Sequence, residues 1–162
     1  MSHEFEMSLV GELSYFLGLQ IRQLNDGIFI TQAKYAKNLV KKFGLENAKY
    51  CNTPISTTLK LSKDVSGKSM EQTLYHCMIG SLLYLTESRP DISFSVGVCA
   101  RYQTDPKESH LSSVKRIIRF VNVTSNYGIW YSFDTNASLV GFTDADWAGN
   151  CNDIAHRAAA FF

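Results

Sequence analysis

Two prolines divide the stretch from residue 78 to 121 into helical pieces, and those pieces limit the fold more than anything else in the chain. Ahead of the first proline, Tyr75, Met78, Ile79, Leu82 and Leu83 recur at the spacing that lines apolar side chains along one face of a helix. Pro90 then fits a first helical position, where its missing N–H costs nothing, with Ser88 or Arg89 as the N-cap. The helix it opens would bury Ile92, Val96 and Cys99, with Phe94 and Val98 beside them. Asp105-Pro106-Lys107-Glu108 is the sharpest start signal in the sequence: an acceptor at the N-cap, proline next, and an acid two residues on. The third helix turns Leu111, Val114, Ile118 and Val121 inward and Lys115, Arg116 and Arg119 outward. A helical bundle with one basic outer face is expected.

Upstream, residues 13–23 read as a strand, with Phe16, Gly18, Gln20 and Arg22 on one face. Asn25-Asp26-Gly27 is a turn signal, and Ile28–Thr31 returns as the second strand of a β-hairpin. Gly18 inside a strand marks a bulge, a bend or a close approach by other backbone. Residues 33–43 form a helix with Ala36, Leu39, Val40 and Phe43 inward and Gly44 as its stop. Lys34, Lys37 and Lys41 recur on another face, which is either a solvated surface or a row of phosphate contacts. Residues 45–73 are polar and turn-rich and read as a long, mobile connector. Downstream, residues 128–133 and 139–143 read as two strands of a second hairpin.

That second strand runs into Asp144-Ala145-Asp146. Two carboxylates at a strand end are hard oxygen ligands for a divalent cation, but aspartates equally serve turns, and the pair needs a third and fourth acid to make a metal site. Residues 151–162 end in Phe161-Phe162 and fit no element.

Composition narrows the classes. The 162 residues are 45% hydrophobic and 12% aromatic, enough for a packed core. Sixteen basic side chains against 15 acidic ones give no global field favouring polyanions. The charge is uneven, however, with the excess of lysine before residue 70 and the excess of acid after residue 133. Cys51, Cys77, Cys99 and Cys151 form no C-x-x-C pair, so neither zinc nor redox chemistry is indicated, and Cys99 reads as a small buried hydrophobe. No apolar run reaches the roughly 18–20 residues of a membrane span, and no secretory leader opens the sequence. A soluble, intracellular protein with no membrane partner is expected, and the Asn122-Val123-Thr124 sequon is incidental on that reading.

Six segments together resemble one family. Tyr15-Phe16-Leu17-Gly18-Leu19, Gln32-Ala33-Lys34-Tyr35, Thr53-Pro54, Met78–Leu85, Arg89-Pro90-Asp91-Ile92 and Thr143–Gly149 occur in the order seen in the reverse transcriptase of plant copia-type LTR retrotransposon Pol polyproteins. The resemblance covers about residues 5–150. It implies a division into a palm-end hairpin and first thumb helix (1–44), a connector (45–73), a helical thumb and connection (74–126), the start of an RNase H-like sheet (127–149) and an aberrant tail (150–162). The implied fold is α+β: N-terminal hairpin, helix, mobile connector, three-helix bundle and C-terminal hairpin.

The resemblance also implies roles. Phe16 and Gly18 would lie where the primer terminus is gripped. Lys34, Lys37, Lys41, Lys115, Arg116 and Arg119 would face an RNA–DNA or DNA duplex. Asp144, and more weakly Asp146, would be vestigial RNase H metal ligands. Magnesium serves the intact parent enzyme; no cofactor is expected for this chain. The family's aromatic-x-Asp-Asp hairpin does not occur in the sequence, and the text after Gly149 departs from the family's pattern. Val123 also replaces a glycine usual after the third helix, which would strain that turn. The expectation is therefore a catalytically inactive reverse-transcriptase fragment that keeps its template–primer-gripping parts. A stand-alone nucleic-acid-binding module and a co-opted protein-interaction domain are the alternatives. Hairpin faces left uncovered would make the chain marginally stable and prone to self-association.

Overall fold

The computed structural model describes residues 14–56 and 61–134. Within them the chain is α+β, with four helices and a four-stranded antiparallel sheet. The elements are β1 (Tyr15–Phe16), β2 (Leu19–Leu24), β3 (Gly27–Thr31), α1 (Ala33–Lys42), α2 (Gln72–Leu85), α3 (Pro90–Ala100), α4 (Glu108–Val123) and β4 (Gly128–Ser132).

The expected hairpin forms, with Asn25 and Asp26 as its two-residue turn between Leu24 and Gly27. The expected single strand over 13–23 does not. The chain reverses at Leu17-Gly18, both at positive φ (49° and 85°), so β1 folds back on β2 with Phe16 opposite Leu19. Gly18 is thus a turn glycine rather than a strand residue.

A second difference concerns β4. The sequence suggests a separate C-terminal hairpin, but β4 pairs along the whole of β3, from Gly27 opposite Ser132 to Thr31 opposite Gly128. Its apolar and aromatic residues complete the first sheet instead of opening another one. The second expected strand, 139–143, lies outside the described residues, as do Asp144, Asp146 and the tail.

All four helices share one core. Ala36, Leu39 and Val40 of α1 are buried with Tyr75, Ile79 and Leu82 of α2, Ile92 and Val96 of α3, and Val114, Ile118 and Val121 of α4. The expected three-helix bundle therefore gains α1 as a fourth member. Leu83, expected inward, is 46% exposed, because the 3.6-residue pitch carries it to the flank while Leu85 takes the buried place. Phe94 likewise turns outward at 65% exposure.

Helix ends follow local chemistry. Gly44 at φ +65° closes α1: its N–H donates to the Lys41 carbonyl, and the Leu45 N–H to that of Val40, a Schellman ending. Pro90 opens α3 as expected, with Arg89 at the N-cap. For α4 the start lies at Glu108 rather than at Pro106. The Met70 N–H donates to the Pro106 carbonyl and the Glu108 N–H to that of Lys68, which holds residues 106–107 extended. His110, not Glu108, then caps the helix: its Nδ1 accepts the Lys107 backbone N–H at 3.0 Å. Val123 is simply the last helical residue, at no positive φ, so the strain expected there is absent.

The connector carries no helix or strand among its described residues up to Glu71, yet it is fastened down. Leu61 enters the core, and its carbonyl accepts from the Tyr102 hydroxyl at 3.0 Å. The Ser62 carbonyl accepts from Nε2 of His110 at 2.7 Å, Asp64 accepts from Ser109 at 2.6 Å, and Thr53 is gripped by Arg116.

Candidate nucleic-acid interface

The β1–β2 turn stands out from the body of the protein. Tyr15 and Phe16 are exposed, and Leu17 reaches 78% exposure. A left-handed backbone costs a leucine about 1–2 kcal/mol, and burial of this side chain returns nothing. The turn is held from two sides. The Tyr84 hydroxyl of α2 donates to the Leu17 carbonyl at 2.9 Å. At the base, the Gln20 side chain donates to the Tyr15 hydroxyl and accepts the Lys34 backbone N–H, both at 3.0 Å. That last bond sets the start of α1 beside the turn.

From there α1 presents Lys34, Lys37 and Lys41 along an exposed face, with Lys42 near. The helix contains no acid. Among the described residues the ion pairs are Arg89–Asp91 and Lys107–Asp105, so none of these lysines has a carboxylate partner. Like charges at i, i+3 and i, i+4 repel by a few tenths of a kcal/mol per pair, roughly 0.2–0.5. A bound polyanion would relieve that repulsion.

The basic set on α4 is less uniform. Lys115 is exposed, and Arg119 is half-buried with its Nε donating to the Lys115 carbonyl at 3.4 Å. Arg116 is spent on structure: its guanidinium donates to the Thr53 carbonyl at 3.2 Å and to the Thr53 hydroxyl at 2.8 Å. The structure brings Phe16, Gly18 and Lys34 into one neighbourhood. No hydrogen bond or ion pair joins the α1 and α4 basic sets among the described residues.

Behind this surface lies a buried polar network that the sequence did not announce. Arg89, 1% exposed, forks onto Asp91 (Nε–Oδ1 2.8 Å, NH2–Oδ2 2.7 Å) and reaches the Thr124 carbonyl and hydroxyl at 2.9 and 2.8 Å. The Phe120 and Tyr127 rings flank it at 5.7 and 5.4 Å. Buried Gln32, just before α1, accepts from the Ser88 hydroxyl at 2.7 Å and donates to the Tyr84 carbonyl at 3.4 Å. These bonds lock the α2–α3 corner to the end of α4 and to the start of α1. The one readable signal was Arg89-Pro90-Asp91, an arginine and an acid flanking a helix-opening proline.

Tyr35 lies edge-on to Tyr84, with centroids 4.8 Å apart, and donates to the Ser81 carbonyl at 3.1 Å; burial raises its pKa. Desolvation also pushes the Cys99 thiol up to about 12, as suits its place in the core. Among the described residues no group of three or more His, Cys, Asp or Glu side chains could hold a metal ion. No helix among them is long and apolar enough to cross a membrane.

Residues 1–57 match the family model of reverse transcriptase (RNA-dependent DNA polymerase). The chain is 35% identical, over 94% of its length, to the retrovirus-related Pol polyprotein from transposon RE1 of Arabidopsis thaliana, covering 10% of that protein. It is 31% identical, over 99% of its length, to the Pol polyprotein from transposon TNT 1-94 of Nicotiana tabacum, covering 12% of it. An uncharacterized mitochondrial protein of Arabidopsis thaliana is 33% identical over 99% of this chain and 66% of its own length. The chain thus spans about a tenth of the Pol polyproteins it matches. No solved structure matches it. The chain belongs to the family of retrovirus-related Pol polyproteins of copia-type transposons, with residues 1–57 in their reverse-transcriptase region.

Proposed function

We propose that the chain is a template–primer-holding piece of a copia-type RNA-directed DNA polymerase, binding an RNA–DNA or DNA duplex without chemistry of its own. The observation that carries this reading is the exposed row Lys34, Lys37 and Lys41, which pairs with no carboxylate among the described residues and starts beside the β1–β2 turn. Such a row suits a phosphate backbone, which it would contact without reading sequence. Lys115 and Arg119 would add contacts from α4, whereas Arg116 is held by Thr53 and would serve chiefly to keep the connector in place. Phe16 and Gly18 would lie at the strand terminus.

On this reading the chain alone catalyses neither strand synthesis nor strand cleavage. Two-metal phosphoryl transfer needs carboxylates that hold both ions, and no aromatic-x-Asp-Asp hairpin occurs in the sequence. Asp144 and Asp146 would be ligands without enough partners. The test is a titration of purified protein into a labelled RNA–DNA hybrid, followed by addition of magnesium and deoxynucleotides. Binding at low salt with no strand extension is expected. Absence of binding, or measurable incorporation, would contradict the reading.

A further inference from the structure

Leu17 is the outlier of the described backbone. Asp64, the other non-glycine residue at positive φ, is of a type that tolerates that conformation and is bonded to Ser109. Leucine is not, and its side chain gains no burial in return. Strain of this kind persists where the surroundings enforce it, and it clusters at sites that bind or react.

Here the enforcing group is identifiable. The Tyr84 hydroxyl donates to the Leu17 carbonyl, and it sits so close above Gly18 that any side chain there would collide with it. Tyr84 is itself aimed by the edge-on Tyr35 ring, which is tied to Ser81 one turn earlier in α2. The Tyr84 carbonyl meets Gln32 in the buried network. A chain of contacts thus runs from the helical core to a strained, apolar, solvent-facing turn.

We infer that Tyr84 is a positioning residue: its hydroxyl holds the β1–β2 turn in the left-handed form that presents Tyr15, Phe16 and Leu17 to a nucleic-acid strand. This rests on the duplex-holding reading above. The turn carries no charge, so its contacts with bases and sugars supply the part of the affinity that salt does not screen. The lysines of α1 supply the part that salt does screen.

The experiment measures hybrid binding by fluorescence anisotropy over a range of salt for the full chain and for Tyr84→Phe, Leu17→Asn and Lys37→Ala. Tyr84→Phe removes one oxygen and keeps the ring against Tyr35. It is expected to weaken binding about tenfold at every salt concentration, with an unchanged slope of log K against log salt. Leu17→Asn keeps a left-handed turn but loses the apolar side chain, and the same pattern is expected. Lys37→Ala should instead make the slope shallower. A merely structural role for Tyr84 would lower the melting temperature and leave the affinity of the folded protein unchanged. Tyr84→Phe binding like the parent chain, or differing from it in slope, overturns the positioning role alone. A parent chain that fails to bind overturns the duplex-holding reading and the positioning role with it.

Discussion

Arg89 and Thr124, 35 residues apart, are joined twice: the guanidinium donates to both the carbonyl and the hydroxyl of the threonine. Asp91 occupies the other edge of the same fork, leaving the buried charge paired and its donors engaged. Asp91 is partly exposed and would not be stranded by loss of the guanidinium. The buried Thr124 carbonyl and hydroxyl, however, would lose their donor and the core a large buried side chain, at a cost of about 2–5 kcal/mol. Arg89→Ala is therefore expected to shift urea unfolding by that order. Arg89→Lys should fare little better, since an ammonium cannot present a planar fork to two acceptors. An unfolding free energy within about 1 kcal/mol of the parent chain would contradict the assignment.

The Gln32–Ser88 contact makes a smaller and separable contribution. Ser88→Ala leaves the buried Gln32 Oε1 without its donor, which should cost about 1–3 kcal/mol. Ser88→Ala and Arg89→Ala act on adjacent residues of one corner, so a double-mutant cycle by chemical denaturation should show them to be non-additive.

Cys99 gives a pH signature. Its thiol is raised from an ordinary 9.0 to about 12 by burial, so the folded chain keeps the proton where the unfolded chain loses it. A raised folded pKa contributes fully below the unfolded value and is lost as pH rises toward the folded one. Stability should therefore hold below pH 9.0 on this account and decline between 9.0 and about 12, by up to ~1.4 kcal/mol per pH unit from this group. Comparison with Cys99→Ala isolates the effect, since the variant loses that part of the alkaline slope. In native thiol labelling, exposed Cys77 should react fast and Cys99 only on unfolding.

Gly44 tests the reading of the α1 terminus. An added Cβ would meet nothing within 4 Å, so only the backbone at φ +65° penalises a substitution. Gly44→Ala is expected to cost about 1 kcal/mol in thermal or chemical melts, and Gly44→Asn less, because asparagine tolerates the left-handed region. Equal stability of all three would mean that α1 does not end in a Schellman turn.

Much of this fold was legible in the sequence, and the exceptions share a cause. The stripes Tyr75–Leu82, Ile92–Cys99 and Leu111–Val121 were readable because periodicity and burial report the same thing. Pro90 and Gly44 marked helix ends because their constraints are local. What escaped depends on distant partners. The displaced start of α4 follows from the pairing of residue 69 with residue 107, and the place of β4 from its pairing with β3. The reversal at Leu17-Gly18 hid because leucine is a poor residue for a left-handed turn, and only Tyr84, 67 residues away, explains it. The lysine row of the candidate site was visible as a pattern, while the commitment of Arg116 to Thr53 was not.

The duplex-holding role is tested most directly by the salt dependence of hybrid binding in the parent chain and in the Lys34→Ala/Lys37→Ala/Lys41→Ala variant. These exposed side chains have no hydrogen-bond or ion-pair partner among the described residues, so the fold should survive their removal. The account expects log K to fall linearly with log salt for the parent chain, and the triple variant to lose roughly 0.9 of slope for each phosphate contact removed. Equal slopes for the two proteins, or no binding by the parent chain even at low salt, would contradict it.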